Sequence, residues 1–91
     1  MTTNVDGVHS LLRWTFQQGQ RWLTCSLLLN DSGGYDVCVM PHWNFELSTI
    51  EPYNSAGDAF GRHAQIAMSL RGDGWTLVDH AAKRARDSAP L

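Results

Sequence analysis

Cysteine is scarce in this chain: Cys25 and Cys38 are the only two among 91 residues. A disulfide framework of the kind that staples small secreted domains is therefore excluded, and a reducing, cytoplasmic setting is the expectation. Long apolar runs are missing too. No stretch of the Leu27-Leu28-Leu29 kind approaches the ~18 residues a membrane-crossing helix needs, so no membrane partner is expected. Met1 to Asp6 offers neither a basic nor an apolar signal region, and no leader is expected there. Basic charge is thin as well. Residues 1–80 carry four arginines against eight acids, while Lys83, Arg84 and Arg86 crowd into the last eleven positions. An acidic body argues against a phosphate-tracking surface, so nucleic acid is not the expected partner, and the basic end reads as a solvated tail.

What is present points to one small domain spanning 1–91. A chain of this length buries only about 60–65% of the surface its unfolded form exposes, so oligomerisation is a common supplement. Four tryptophans supply large apolar area for a core or an interface.

The pattern from Leu12 has period two. Leu12, Trp14 and Phe16 alternate with Arg13, Thr15 and Gln17, and Gln18-Gly19-Gln20 reads as a tight turn. A second strand puts Leu23, Cys25, Leu27 and Leu29 on one face and Trp22, Thr24, Ser26 and Leu28 on the other. After Asn30-Asp31-Ser32-Gly33-Gly34 comes a third strand, with Tyr35, Val37 and Val39 inward and Asp36, Cys38, Met40 and His42 outward. Parity fixes the register. A three-residue loop with left-handed Gly33 opposes Leu29 to Tyr35, Leu27 to Val37 and Cys25 to Val39, whereas a two-residue loop would oppose apolar to polar faces. Cys25 then points inward and Cys38 outward, too far apart in direction for a disulfide. Trp43 to Thr49 alternates again and reads as a fourth strand with Trp43, Phe45 and Leu47 inward; Pro52 and Asn54 end the sheet region.

Asn54 to Gly72 reads as one amphipathic helix, capped at Asn54 or Ser55 and stopped by Gly72 at its C′ position. Ala59, Phe60, His63, Ala64, Ile66, Ala67 and Leu70 fall on one arc of about 160°. Trp75 to Asp79 is either a short fifth strand or a tucked segment. The expected fold is α+β: a four-stranded, mainly antiparallel meander with one helix, about 54–72, packed on one face. Residues 1–10 and 81–91 are expected to be poorly ordered ends.

Chemistry is harder to find. His63, central on the apolar arc, is a candidate buried polar residue, with its nitrogens satisfied by a backbone carbonyl or by Tyr35 or Tyr53. Cys38 and His42 share a face but lie ~13 Å apart along a strand, which rules out a nucleophile–base pair. The histidines are scattered, and no metal, cofactor or phosphate-loop spacing is present, so neither catalytic residues nor cofactors are expected. The outer sheet face is more informative. Trp22, Leu28, Cys38, Met40 and His42 form an apolar centre rimmed by Arg13, Thr15, Gln17, Asn44 and Glu46, which is interface anatomy. Cover by the two terminal segments is the alternative. Gly57 and Gly61, with Ala64 and Met68, line one helix flank, where close approach of a second copy would account for a helix-interior glycine. The expectation is a non-enzymatic, self-associating binding module, with a homodimer as the leading assembly. Two alternatives stand beside it: a small-molecule binder near His63 and Tyr53, and a single-stranded nucleic-acid binder using Trp22, Trp43 and the basic tail.

Overall fold

The computed structural model describes residues 10–82. Five strands form one antiparallel sheet: β1 (Ser10–Gln18), β2 (Arg21–Leu29), β3 (Tyr35–Pro41), β4 (Thr49–Tyr53) and β5 (Thr76–Ala82). One helix, α1 (Ala56–Gly72), lies across one face. The order is β4-β3-β2-β1-β5, so the first four strands run as a meander and β5 completes the far edge beside β1. The fold is therefore α+β as the pattern required, with the fifth strand present and longer than 75–79.

The parity argument holds at atomic detail. Leu29 faces Tyr35, Leu27 faces Val37 and Cys25 faces Val39, while Leu12, Trp14 and Phe16 face Leu27, Cys25 and Leu23. Gly33 has φ of 87°, a left-handed conformation that closes the loop as Asn30 N–H reaches the Gly34 carbonyl at 2.9 Å. Phe16, Leu23, Cys25, Leu27 and Val37 make the sheet side of the core. Burying each large member contributes about 1.5–3 kcal/mol.

The helix does topological work. It must carry the chain from the β4 edge to the β5 edge, four strand spacings or ~19 Å away. Its 17 residues span ~25 Å, enough to cross the sheet on the diagonal. Ser55 caps the start, its hydroxyl accepting from the Asp58 N–H at 3.2 Å. Glycine ends it two residues later than expected. Gly74, at φ 96°, is the C′ residue; it donates to the Arg71 carbonyl and Trp75 donates to the Leu70 carbonyl, the paired bonds of a Schellman motif. The contact stripe is Ala59, His63 and Ala67, all buried, with Ile66 and Leu70 beside them. Phe60 and Ala64, expected on the buried arc, lie on its exposed shoulder. Alanines in the stripe let the helix settle close to the sheet, and the ring at 60 is left at the margin.

The fourth strand is a correction. Residues 43–48 do not continue the sheet: Phe45–Leu47 is a single 3-10 turn, and Phe45 and Leu47 are 61% and 57% exposed. Asn44 is the cause. Its side-chain Oδ1 accepts from the Glu46 N–H at 3.0 Å while its own N–H reaches the Pro41 carbonyl, so it folds the chain locally instead of extending it. The strand begins at Thr49 and includes Pro52, tolerated because β4 is an edge. The expected loose ends fall mostly outside the described residues; of their members that are described, Ser10 opens β1 and Ala81 and Ala82 close β5.

Candidate interaction surface

The outer face follows from the same alternation that builds the core. On β2 and β3 the even-numbered residues turn away from α1, which sets Ser26 opposite Cys38, Thr24 opposite Met40 and Leu28 opposite Asp36. On β4, Ile50 stands opposite Cys38 and is 65% exposed. Ser10, Arg13, Ser26, Leu28, Cys38 and Met40 line a depression of about 320 Å³ in the middle of this face. Three of the five outer-face residues expected to form an interface, Leu28, Cys38 and Met40, therefore share one hollow. Trp22 and His42 lie at its lower end, joined through the backbone by the His42 N–H and the Trp22 carbonyl at 2.9 Å. Trp22 is 41% exposed.

A polar seam runs beside the hollow. The His42 Nε2 and Thr24 hydroxyl lie 2.7 Å apart, and the Thr24 and Thr15 hydroxyls 3.2 Å apart. Thr24 is buried, so these bonds satisfy a hydroxyl that would otherwise be costly. His42 thus spends its ring on threonine, not on Cys38. Burial, reinforced by the charge of Asp36, holds the Cys38 thiol above its ordinary pKa, the opposite of an activated nucleophile. Cys25 is pushed up to about 12, chiefly by burial. Both cysteines are free.

His63 sits at the centre of the other face and is 2% exposed. Its Nε2 donates to the Cys25 carbonyl at 3.1 Å, which leaves the hydrogen on that nitrogen. The Trp14 ring meets it edge-on at 5.1 Å. Desolvation lowers its pKa, and the bond to the Cys25 carbonyl offsets part of that shift. Tyr53, the other residue offered for a ligand beneath the helix, donates its hydroxyl to Glu51 at 2.9 Å. Glu51 in turn receives Arg62 at both oxygens, a bidentate tie from β4 to α1, and these bonds, Arg62 first, lower its pKa. The polar groups under the helix are thus committed to the fold.

Of the two tryptophans expected to stack bases, Trp22 is 41% exposed and Trp43 is engaged within the chain. Trp43 stacks on Trp75 at 6.0 Å, and the Arg21 guanidinium lies 4.7 Å from its centroid. The basic tail offered with it lies outside the described residues. Gly57 and Gly61 are exposed on the helix, and a Cβ at Gly61 would meet nothing within 4 Å. No strand therefore packs beneath Gly61 closely enough to require a glycine there. Among the described residues no three His, Cys, Asp or Glu side chains gather as a metal site would need, and no helix is long and apolar enough to cross a membrane.

Sequence parity found Trp22, Leu28, Cys38, Met40 and His42 but missed Ile50 and the exposed Phe45–Leu47 turn. The signal was there in Pro41-x-x-Asn44, a strand stop followed by a side chain suited to capping a turn. Compared with protein-family models, curated proteins and solved structures, the chain matches nothing.

Proposed function

We propose that this protein is a non-enzymatic binding module that self-associates, as a homodimer, through the outer face of its sheet. One observation carries the reading: Leu28, Cys38 and Met40 line an open hollow flanked by exposed Ile50 and Trp22, on the side of the sheet opposite the helix. An apolar centre of this kind with Arg13, Thr15 and Gln17 around it suits a partner surface. The sheet edges favour a face over an edge as the contact. Pro52 removes a donor from β4, and Val78 is an extra residue in β5, since Thr15 faces Asp79 and Phe16 faces Leu77. Prolines and bulges are devices that discourage strand addition. Two free cysteines on opposite faces fit a reducing, cytoplasmic setting.

Sedimentation velocity from nanomolar to tens of micromolar tests the proposal. The expected result is a concentration-dependent dimer that Met40→Glu converts to monomer while its far-UV circular dichroism stays unchanged. A species of 10.2 kDa throughout that range would remove the reading.

A further inference from the structure

The outer face carries a projection as well as a hollow. Phe45 stands out from the 3-10 turn, and its ring lies 5.8 Å from that of His42. The His42 side chain itself reaches Thr24 on the outer face, so Phe45 stands at the end of that face, beyond Met40. The turn presenting it is braced by three backbone bonds and the Asn44 side chain, which holds the projection in a fixed place. The hollow lies farther up the same strands, around Ser26, Leu28 and Cys38.

Charge is arranged to match. Glu46 follows Phe45 on the turn and is exposed, while Arg13 borders the hollow. Among the described residues the one ion pair joins Arg62 to Glu51, which leaves Glu46 and Arg13 without partners there. An acid beside the projection and a base beside the hollow are complementary between copies, because both surfaces belong to the same chain.

We propose that two copies pack outer face to outer face with their β3 strands antiparallel, so that Phe45 of each fills the hollow of the other and Glu46 of each meets the other's Arg13. This rests on the self-association proposed above and specifies its geometry. A twofold axis lying between the sheets, across the strands at the level of Thr24 and Met40, exchanges projection and hollow in one operation. The contact is then isologous and closes at two copies. Met40 falls next to the axis, where it meets the same residue of its mate.

Cys38 lines the hollow and supplies a built-in probe. Phe45→Cys in the full chain, treated with diamide at micromolar concentration, gives a covalent dimer as the thiols at 45 and 38 of different copies lose their hydrogens to diamide. The dimer is expected to vanish when Cys38→Ser is added, and to be absent when the unaltered chain is treated in the same way. A second measurement needs no cysteine. Arg13→Glu and Glu46→Arg should each raise the dimer dissociation constant about two- to thirtyfold, the size of the two exposed ion pairs that the twofold axis creates, and the double exchange should restore it. Sedimentation as a dimer without the 45–38 link and without charge rescue overturns this geometry and leaves self-association standing. A monomer at every concentration overturns both.

Discussion

The two faces of one sheet are made by the same three central strands, yet they are used differently. On the helix side, Phe16, Cys25 and Leu27 are fully buried against Ala59, His63 and Ala67. On the reverse side the alternating positions are Thr15, Thr24, Ser26, Leu28, Cys38 and Met40, a mixture of small polar and apolar groups around a hollow. The first face is closed by a helix whose length matches the crossing. The second has Thr15–Thr24–His42 hydrogen bonding and the Asn30–Asp36 bond to quiet its polar groups and no described element over its apolar ones. In a chain whose size limits its core, one face makes the fold and the other is left without a covering element among the described residues.

The largest test of this contrast is truncation of neighbouring residues that point opposite ways. Phe16→Ala and Leu27→Ala should cost about 3–5 and 2–5 kcal/mol, since each empties a fully buried site. Leu28→Ala, one residue along, should cost less than about 1 kcal/mol when measured by urea denaturation under monomeric conditions. Equal losses at 27 and 28 would break the contrast. They would mean that residues 1–9 or 83–91 cover the outer face, as the alternative account of that face supposes.

The covered face also depends on how the helix hands the chain to β5. Gly74→Ala should destabilise by about 1–2 kcal/mol, because alanine is disfavoured at φ 96° and its Cβ would sit 3.0 Å from the Gln18 amide nitrogen. That Gln18 nitrogen already donates to the Asp73 carbonyl at 2.8 Å, so the strain and the lost contact fall on one loop. Thermal denaturation measures the loss. An unchanged midpoint would mean that the Schellman turn contributes little to holding α1 on the sheet.

Acid should separate the faces by another route. His63 is neutral when folded, and burial lowers its pKa below the unfolded value of ~6.5. Above that value neither state binds the proton, and stability is indifferent to this group. As pH falls below ~6.5 the unfolded chain takes up a proton that the folded chain refuses, so stability drops until the folded pKa is passed. Glu51, lowered by Arg62, adds a separate loss that sets in at more acid pH, below its unfolded value of ~4.3. His63→Gln keeps a donor for the Cys25 carbonyl and does not titrate, so the first decline should flatten while the second remains. Persistence of the first decline in that variant would assign it to a group other than His63.

The residues explain how much of this was legible from sequence. Parity set the inner and outer faces of β1, β2 and β3 because each residue's direction follows from its neighbour's, and a buried face forbids slippage. The outer face followed from that, with Leu28, Cys38 and Met40 placed on it in advance, while the hollow they line shows only in the structure. The run from Trp43 to Leu47 has the same alternation and a different fate. There one side chain, Asn44, supplied local hydrogen bonds that outcompeted the ladder, and apolar periodicity could not register that. The helix arc erred for a related reason: a 160° apolar sector is wider than the strip a flat sheet can touch. Ala59, His63 and Ala67 took the centre, and Phe60 was left at the rim.

The smallest expected effect concerns a third surface, the exposed flank of α1, and sharpens the contrast between covered and open. A Cβ at Gly61 meets no atom within 4 Å, and the residue lies in the helix interior. Gly61→Ala should therefore stabilise the monomer by about 0.5–1 kcal/mol, the ordinary helix-propensity gain. If dimers form through the sheet alone, the same variant leaves the dimer dissociation constant unchanged, because Gly61 and the hollow lie on opposite sides of the sheet. If the flank of Gly57, Gly61, Ala64 and Met68 also takes part, the added methyl obstructs close backbone approach. Stability of the monomer then rises while dimerisation weakens. Denaturation and sedimentation on this one variant thus report on the flank and the sheet face independently.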